Sequence, residues 1–438
     1  MPRFVKFGAV FQSFRPVIAR PSGSNPVLVV GGGPAGATAA RRLASAGVPV
    51  RLLERVSAYP RNKPCGGGIS TRALRRFSYL AQALPRIATH TVSRLYLEGP
   101  DGVSTVVESD EPAALLVRRI EFDALLVDLA REAGADIVTG VEIVQARQDA
   151  HGVTLDVRDG RRFTAPFVVA ADGVHSVVAR RLGLNPGWPA SRVAIDMMEE
   201  TPRAELRDVD PSALWVSYGD GHGYKYIFPK RDHINVGLGY VLDYFRREID
   251  ATPYDLQRGF VDHLRARGIV VGESNRAHFT PFIIPIGGPL RRPAGGRVLL
   301  AGDAGGFVNG FTAEGIVYAM VSGDLAARAI VDAAGDPAAA VRRYCRAIDR
   351  EVRAELRDSV LIQQYLFADP RRIARVVAGA AQARVVTRLA LDVVVGRRSY
   401  RDARRRILAR SPALLAGMLG ELWRALRLRV ASVEAGIE

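Results

Sequence analysis

The stretch from Val27 to Glu54 reads VLVVGGGPAGATAARRLASAGVPVRLLE, and it decides the fold. Its first four residues are apolar and mostly β-branched, which predicts a buried parallel strand. Gly31, Gly33 and Gly36 then fit the pattern G-x-G-x-x-G. In this pattern the glycines allow a tight turn, a close approach of backbone to a pyrophosphate, and packing of the next helix on the strand.

A helix rich in alanine and a second strand, Val50 to Leu53, follow the glycines and lead to Glu54. A carboxylate at this place accepts hydrogen bonds from the ribose of an adenine dinucleotide. Strand, glycine turn, helix, strand and acid in this order predict an adenine dinucleotide site, with the pyrophosphate at the helix N-terminus. An acid here argues against the 2′-phosphate of NADP.

The composition is typical of a soluble globular protein. The length of 438 residues predicts two or three subdomains, and the 48% hydrophobic and 24% charged residues fit this class. No apolar run is long enough to predict a transmembrane helix. Cys65 and Cys345 are too few for a disulfide framework, and no Cys/His cluster has zinc spacing, so we expect a reducing compartment and no metal site.

The net charge of +16 comes mostly from arginine, which is concentrated in the C-terminal third. No nucleic-acid-binding module is recognisable, so nucleic acid is not an expected partner. An anionic membrane surface or substrate and a merely solvated arginine-rich surface both remain open as interpretations. Residues 1–25 are basic and without acids, which predicts a disordered extension, with a targeting peptide as the alternative.

Two later buried strands end in Asp172-Gly173 and in Gly302-Asp303. Both would deliver an acid and glycines to the carboxyl edge of the sheet, where ligands bind in open α/β folds. Since G-x-G-x-x-G occurs once, we expect one long dinucleotide along this edge. The predicted organisation is a disordered extension at 1–25, a discontinuous cofactor domain at 26–190 and 290–335, an antiparallel-sheet substrate domain at 191–289 that follows a β-meander at 136–170, and an arginine-rich helical region at 336–438.

Four further segments give the chain a resemblance to FAD-dependent oxidoreductases of the para-hydroxybenzoate hydroxylase type, and within them to the geranylgeranyl reductase family. They are Lys63–Ile69 (KPCGGGI), Arg119–Asp123 (RIEFD), Tyr224–Lys230 (YKYIFPK) and Glu314–Ile316 (EGI). The resemblance implies an α/β fold: an FAD-binding Rossmann-like domain of the glutathione reductase/para-hydroxybenzoate hydroxylase type, an antiparallel-sheet substrate domain and a C-terminal helical region.

The chain departs from the family pattern in two places. Tyr226 stands where the family motif Tyr-x-Trp-x-Phe-Pro has tryptophan. Before Glu-Gly-Ile the family usually has a proline and a glycine, and this chain has Gly310 and Ala313. Neither departure removes a group that the chemistry needs, so they bear on the identity of the substrate.

The resemblance implies FAD as the cofactor. Glu54 would hold the ADP part, the backbone of Val141 the adenine, and Asp303 the ribityl chain or pyrophosphate. Gly315 and Ile316 would lie against the isoalloxazine, where helix N–H groups would stabilise the anionic reduced flavin. The full implied set is Gly31, Gly33, Ala35, Gly36, Glu54, Arg55, Cys65, Gly66, Gly68, Arg119, Val141, Asp172, Asp303, Gly315 and Ile316.

The implied reaction is hydride transfer from reduced flavin to double bonds of a polyprenyl chain, with NAD(P)H or ferredoxin as transient electron donor. Cys65 and Tyr224 are the candidate proton donors. The aromatic residues Trp215, Tyr224, Tyr226 and Phe228 would line the substrate pocket or belong to ordinary core. The expected partners are a prenyl lipid or prenyl diphosphate, ferredoxin as an option, and no nucleic acid. We expect a cytoplasmic protein, with peripheral membrane contact left open.

The main alternative is a flavin-dependent monooxygenase for an aromatic or polyketide-like substrate, but its members do not normally carry the Pro-Cys-Gly-Gly-Gly loop. A flavoprotein similar to the electron-transfer-flavoprotein dehydrogenases would want an iron–sulfur domain, and two cysteines cannot ligate a four-cysteine cluster. A halogenase would show Trp-x-Trp-x-Ile-Pro. A non-catalytic flavin-binding protein is the remaining alternative.

Overall fold

The computed structural model describes residues 25–382, apart from 64, 109–111, 113 and 220. The predicted N-terminal extension, except for residue 25, and the part of the arginine-rich region after 382 lie outside the described residues. The strands are β1 Val27–Val30, β2 Val50–Leu53, β3 Gly68–Ile69, β4 Thr89–Val92, β5 Arg94–Glu98, β6 Ser104–Glu108, β7 Ala114–Val117, β8 Asp136–Val138, β9 Ile143–Gln148, β10 Val153–Val157, β11 Arg162–Ala165, β12 Val168–Ala170, β13 Val193–Pro202, β14 Leu206–Asp208, β15 Ala213–Ser217, β16 Gly223–Pro229, β17 His233–Val241, β18 Val270–Gly272, β19 Phe279–Pro285, β20 Ala294–Gly295 and β21 Val298–Leu300.

The helices that carry the rest of the described chain are α1 Pro34–Ser45, α2 Thr71–Arg76, α3 Tyr79–Ala83, α4 Arg119–Glu132, α5 Val177–Arg181, α6 Leu242–Glu248, α7 Pro253–Ala266, α8 Ile316–Asp332, α9 Pro337–Ile348, α10 Ala354–Phe367 and α11 Pro370–Gln382.

Six strands form a mainly parallel sheet in the order β20-β21-β12-β1-β2-β8. The central strand β1 pairs in parallel with β12 and with β2, so that Val29 lies between Val169 and Leu52. All four residues of β1 are buried, as a parallel strand covered on both faces requires. The carboxyl ends of β1, β12 and β21 therefore lie side by side at one edge of the sheet.

Both faces of this parallel sheet are covered. On one face Val29 belongs to the same core cluster as Leu43 of α1 and Leu325 of α8. On the other face Leu28 shares a core cluster with Leu155, which lies in the small antiparallel sheet β11-β10-β9. The predicted β-meander over 136–170 is therefore wrong at its ends, because β8 and β12 pair in the parallel sheet and only β9 to β11 are antiparallel.

A second sheet has seven strands in the order β19-β13-β17-β16-β15-β5-β6, and all neighbours are antiparallel except β15 and β5. One face packs on α7, where Leu238 and Ile227 share a core with Phe260. The other face is turned toward α10, α11 and the loop that precedes α8. The hairpin β5–β6 is hydrogen-bonded into this second sheet. It therefore lies outside the cofactor domain, although the sequence analysis assigned all of residues 26–190 to that domain.

The helices after 336 dock on the body of the protein. Phe367 of α10 and Val377 of α11 form an apolar cluster with Tyr224 and Val241 of the second sheet. Among the described residues no helix has the length and apolar character that a membrane span requires. The architecture confirms the predicted α/β fold class with a Rossmann-like domain, an antiparallel sheet and C-terminal helices.

Candidate functional site

The glycine turn joins β1 to α1 at the carboxyl edge of the parallel sheet. A Cβ on Gly36 would lie 1.8 Å from the carbonyl oxygen of Gly31, so only glycine lets α1 pack this closely on the turn. Gly33 is the extended N-cap of α1, and a Cβ there would lie 2.9 Å from Nη2 of Arg61. Ala35 is buried in the first turn of α1. The turn therefore brings helix N–H groups and a guanidinium to the same space, which suits an anion.

Glu54 is buried beside this turn at the end of β2. Its Oε2 accepts a hydrogen bond from the Gly32 N–H at 2.7 Å, and Oε1 accepts one from the Val56 N–H at 3.1 Å. A carboxylate has further lone pairs, so these bonds fix its orientation and still allow it to accept from a ribose hydroxyl. The Val141 N–H donates to the Glu54 carbonyl at 2.8 Å, so the backbone that is predicted to bind adenine lies next to Glu54. Arg55 is exposed.

Two arginines converge on one buried aspartate next to the turn. Arg119 donates from Nε and Nη2 to the two carboxylate oxygens of Asp123, at 2.7 and 3.0 Å, and Arg61 Nη2 donates to Oδ2 at 2.5 Å. Burial favours the neutral acid, but the two guanidinium groups outweigh it and hold the pKa of Asp123 below its usual range. The cluster thus keeps one excess positive charge in a buried place.

The arginine cluster fits the diphosphate of FAD. Nε of Arg61 is buried and has no hydrogen-bond partner among the described residues. A buried donor without a partner costs free energy unless a ligand supplies the acceptor. Arg61 also lies beside the Gly33 position at the start of α1, so an anionic group with several oxygens matches what the protein offers here.

The loop Cys65–Gly68 lies on the aromatic strand β16. A Cβ on Gly66 would lie 3.0 Å from the ring of Phe228, and one on Gly68 would lie 3.7 Å from it. Buried Lys230 fastens the loop, since its Nζ donates to the Cys65 carbonyl and to Oε2 of Glu200, both at 2.6 Å. The fold therefore brings the predicted cofactor loop into contact with Phe228 of the predicted substrate wall.

A third group of predicted residues lies where β21 leads into α8. A Cβ on Gly315 would lie 3.9 Å from Oδ1 of Asp303, and Ile316 begins α8 with its side chain buried. Asp303 lies close enough to Arg119 and Lys63 to favour the charged form of each. In Lys63 burial outweighs this attraction, so the pKa of Lys63 is lowered to about 8. Asp303, Arg119 and the start of α8 therefore border one space.

The contact of Asp172 with the cofactor stays a prediction, and its carboxylate is engaged at the start of α5. Its Oδ1 accepts a hydrogen bond from the Ser176 hydroxyl at 2.6 Å, and Oδ2 accepts one from the Val178 N–H at 3.2 Å. Ser176 in turn caps α5 by accepting from the Ala179 N–H. Asp172 is thus used in capping α5, because N–H groups at a helix start need acceptors.

A narrow cavity of about 40 Å³ lies between the second sheet and the loop before α8. Its wall includes Tyr224 on the sheet, Phe311 and Ala313 in the loop, and Phe367 of α10. The Tyr224 hydroxyl donates to the Thr312 carbonyl at 2.8 Å, a bond that holds the loop against the sheet. The lining is mostly apolar and aromatic, as a site for a hydrocarbon chain requires.

The four predicted pocket aromatics do not share one face of the sheet. Trp215 is paired with Ile227, stacks on Tyr96 at 5.8 Å between ring centroids, and packs near Phe260 of α7. Successive residues of a strand point to opposite faces, so Trp215 belongs to the core under α7 and its assignment to the pocket is wrong. Tyr226 lies on the cavity side, with its ring edge-to-face on Phe228 at 5.1 Å between centroids.

Asp196 is a candidate residue that sequence reasoning missed. It is 9% exposed in the middle of β13, lines the cavity, and accepts a hydrogen bond from the Tyr226 hydroxyl, whose oxygen lies 3.0 and 3.2 Å from the two carboxyl oxygens. Burial raises the pKa of this carboxyl to about 7. The available signal was an acid inside the apolar run VAIDMM. Arg61 and Lys63 were missed as well, although both are cations in the predicted cofactor loop.

Comparison with known proteins gives consistent findings. A family model described as an FAD binding domain matches residues 24–322. Digeranylgeranylglycerophospholipid reductase 2 of Methanothermobacter thermautotrophicus is 31% identical over 316 residues, which are 69% of this chain and 78% of the relative. Menaquinone reductase of Mycobacterium tuberculosis is 30% identical over 325 residues, which are 69% of this chain and 76% of the relative.

The fold is similar to that of a solved structure. The crystal structure of a geranylgeranyl bacteriochlorophyll reductase-like protein from Thermoplasma acidophilum superimposes with a TM-score of 0.76 at 21% sequence identity. The match covers 91% of this chain and 99% of that chain. The similarity therefore covers most of the fold.

Proposed function

The chain belongs to the geranylgeranyl reductase family of FAD-dependent oxidoreductases, and from this premise we propose that it reduces carbon–carbon double bonds in a polyprenyl chain. This polyprenyl chain would be part of a lipid or of a prenyl diphosphate. The observation that supports this substrate best is the cavity lined by aromatic rings beside the loop that leads to Gly315 and Ile316. A short apolar part of such a chain would be shielded from water in this cavity.

The residues of the cofactor site would act by binding and orientation. Arg61 and Arg119 would hold the diphosphate of FAD at the start of α1, and Glu54 would accept from the ribose. Asp303 would lie at the ribityl chain, and Gly315 would let the ring approach α8. When bound, FAD supplies the hydride chemistry, so the protein contributes position, exclusion of water and a proton.

The electron donor that we propose is NAD(P)H or ferredoxin, bound only transiently. The net charge of +16 supports an acidic protein donor or contact with an anionic membrane surface, since either would be attracted to an arginine-rich surface. A membrane surface would also be the source of a prenyl lipid substrate.

The test is mass spectrometry of geranylgeranyl diphosphate and of a digeranylgeranyl lipid after anaerobic incubation with the FAD-loaded, dithionite-reduced protein. We expect products that gain hydrogens in pairs. Gly239 lines the cavity, and a Cβ there would meet Oδ1 of Asp196 at an ordinary 3.5 Å, so Gly239→Leu should fill the cavity without a backbone clash. We expect it to lower turnover at least about tenfold.

The matched control is Gly259→Leu, because Gly259 is exposed on α7 and nothing lies within 4 Å of its Cβ position. It should turn over like the wild type. Equal turnover by Gly239→Leu would place the substrate elsewhere. Unchanged prenyl compounds together with rapid peroxyflavin formation on admission of oxygen would favour a monooxygenase instead.

A further inference from the structure

We propose that Asp196, held in position by Tyr226, is the acid that gives a proton to the substrate in the cavity. This role rests on the proposed alkene reduction. It replaces Cys65 and Tyr224 as the source of the proton.

The side chains of Asp196 and Tyr226 meet over strand β17, which has glycine opposite each of them. Asp196 on β13 is opposite Gly239 of β17, and Tyr226 on β16 is opposite Gly237 of the same strand. β17 separates β13 from β16 in the sheet. A Cβ on Gly237 would lie 2.4 Å from the Tyr226 hydroxyl oxygen, so the tyrosine can pass over β17 to Asp196 only because residue 237 is glycine.

The surroundings of Asp196 suit a proton donor better than an ion pair. Among the described residues no Arg, Lys or His nitrogen forms a salt bridge with it, whereas Asp123 has two guanidinium partners. The charged group that faces it is Lys63 of the cofactor loop, whose cation lies over the ring of Phe282, the residue opposite Asp196 on β19.

The hydrogen bond from Tyr226 and the cation of Lys63 both lower the pKa of Asp196, but burial outweighs them and raises this pKa to about 7. An acid with a pKa near the working pH can both give a proton and recover it. The other titratable groups of the described cavity wall are His222, Tyr224 and Tyr240, and Cys65 lies beside Tyr226. Of these, Tyr224 already donates its proton to the Thr312 carbonyl.

The step balances in atoms and electrons. The π bond of the alkene breaks and two C–H bonds form. One carbon takes up the hydride of the reduced flavin, which becomes oxidised. The other carbon takes up the proton of Asp196, which becomes a carboxylate. Water that enters the cavity after product release returns the proton to Asp196. A donor of the NAD(P)H type would return a hydride to the flavin, and a donor of the ferredoxin type would return two electrons while water supplies the accompanying proton.

The experiment uses the FAD-loaded full chain as wild type, Asp196→Asn and Tyr226→Phe. Glu199→Gln is the matched control, since Glu199 is a buried acid of the same strand on the opposite face, bound to the Ser274 hydroxyl at 2.6 Å. The first readout is infrared spectroscopy after labelling of the aspartate carboxyls, and the second is alkene reduction with the rate of flavin reduction measured separately.

We expect a protonated-carboxyl band that fades as the pH rises through about 7, is missing in Asp196→Asn and is shifted in Tyr226→Phe. Asp196→Asn should slow alkene reduction by about 10²-fold or more, the usual contribution of a general acid, while dithionite reduces its flavin at the wild-type rate. Tyr226→Phe should slow alkene reduction less than Asp196→Asn does, and Glu199→Gln should reduce the alkene at the wild-type rate.

A wild type without the band, or Asp196→Asn with the wild-type alkene rate, would overturn the assignment. If the wild type itself reduces no prenyl alkene, the proposed function fails and this role falls with it. That outcome is recognisable, because wild type and Asp196→Asn would then be equally inactive while the infrared band still distinguishes them.

Discussion

Replacing Asp196 by asparagine should change how the stability of the protein depends on pH. Burial raises the pKa of this carboxyl from 3.8 to about 7. In the unfolded chain the group returns to its ordinary pKa, so between about pH 4 and pH 7 the folded protein holds a proton that the unfolded chain has lost. The stability associated with this proton is fully present below about pH 4 and is lost as the pH rises through about 7.

The difference of about 3 pKa units corresponds to about 4 kcal/mol. Asparagine cannot ionise, so the free energy of unfolding of the wild type minus that of Asp196→Asn should fall by about this amount between pH 4 and pH 8. Urea unfolding of both FAD-loaded proteins at several pH values measures it. Taking the difference removes the titration of the other buried acids, such as Glu314 and Asp172.

The control is Asp262→Asn, because Asp262 is half exposed and is paired with exposed Arg265 on α7. This variant should follow the pH dependence of the wild type. A wild-type-minus-Asp196→Asn difference that stays constant from pH 4 to pH 8 would refute the reasoning, since it would mean that Asp196 is charged in the folded protein throughout this range.

Three further variants test the glycine and cation positions. Ala313→Gly should raise the free energy of unfolding by up to about 1 kcal/mol in urea titrations, because Ala313 has φ +55°, a region that favours glycine; a loss of stability would contradict this. Gly237→Ala should cost about 1–3 kcal/mol by the same measurement and perturb the Asp196 infrared band, whereas Gly259→Ala on the surface of α7 should do neither. Arg61→Gln should weaken FAD binding about tenfold in a fluorescence titration, with exposed Arg131→Gln as the unchanged control, and equal affinities would remove Arg61 from the diphosphate site.

The fold around the predicted cofactor site was predictable because its signals are local in sequence. The strand, the three glycines, α1 and Glu54 lie within one stretch of 28 residues, and each step of the pattern limits the next. Asp172 shows the limit of this reasoning. An Asp-Gly at the end of a buried strand looks the same in sequence whether its carboxylate faces a ligand or caps the following helix, as it does here.

The substrate half depended on strand register, which the sequence does not reveal. A shift of one residue turns every side chain of a strand to the other face. Trp215 and Tyr226 both lie in aromatic, alternating segments, and only the pairing of Trp215 with Ile227 shows that they point to opposite sides. In the same way Asp196 and Tyr226 are 30 residues apart, and they meet because β17, with its glycines, lies between their strands.

Of the two departures from the family pattern, Gly310 and Ala313 line the cavity, and Tyr226 contacts Asp196, which lines it. Tyr226 carries the hydroxyl that holds Asp196, a bond that a tryptophan could not make in the same way because indole donates from a ring nitrogen. The N–H of Gly310 donates to the Ser359 hydroxyl of α10 at 2.8 Å, a bond that proline could not make. The predicted cofactor residues Glu54, Arg119 and Asp303 match the pattern. Since the changes concern the cavity and its attachment to α10, we infer that this chain keeps the family's flavin chemistry and differs in the prenyl substrate that it positions.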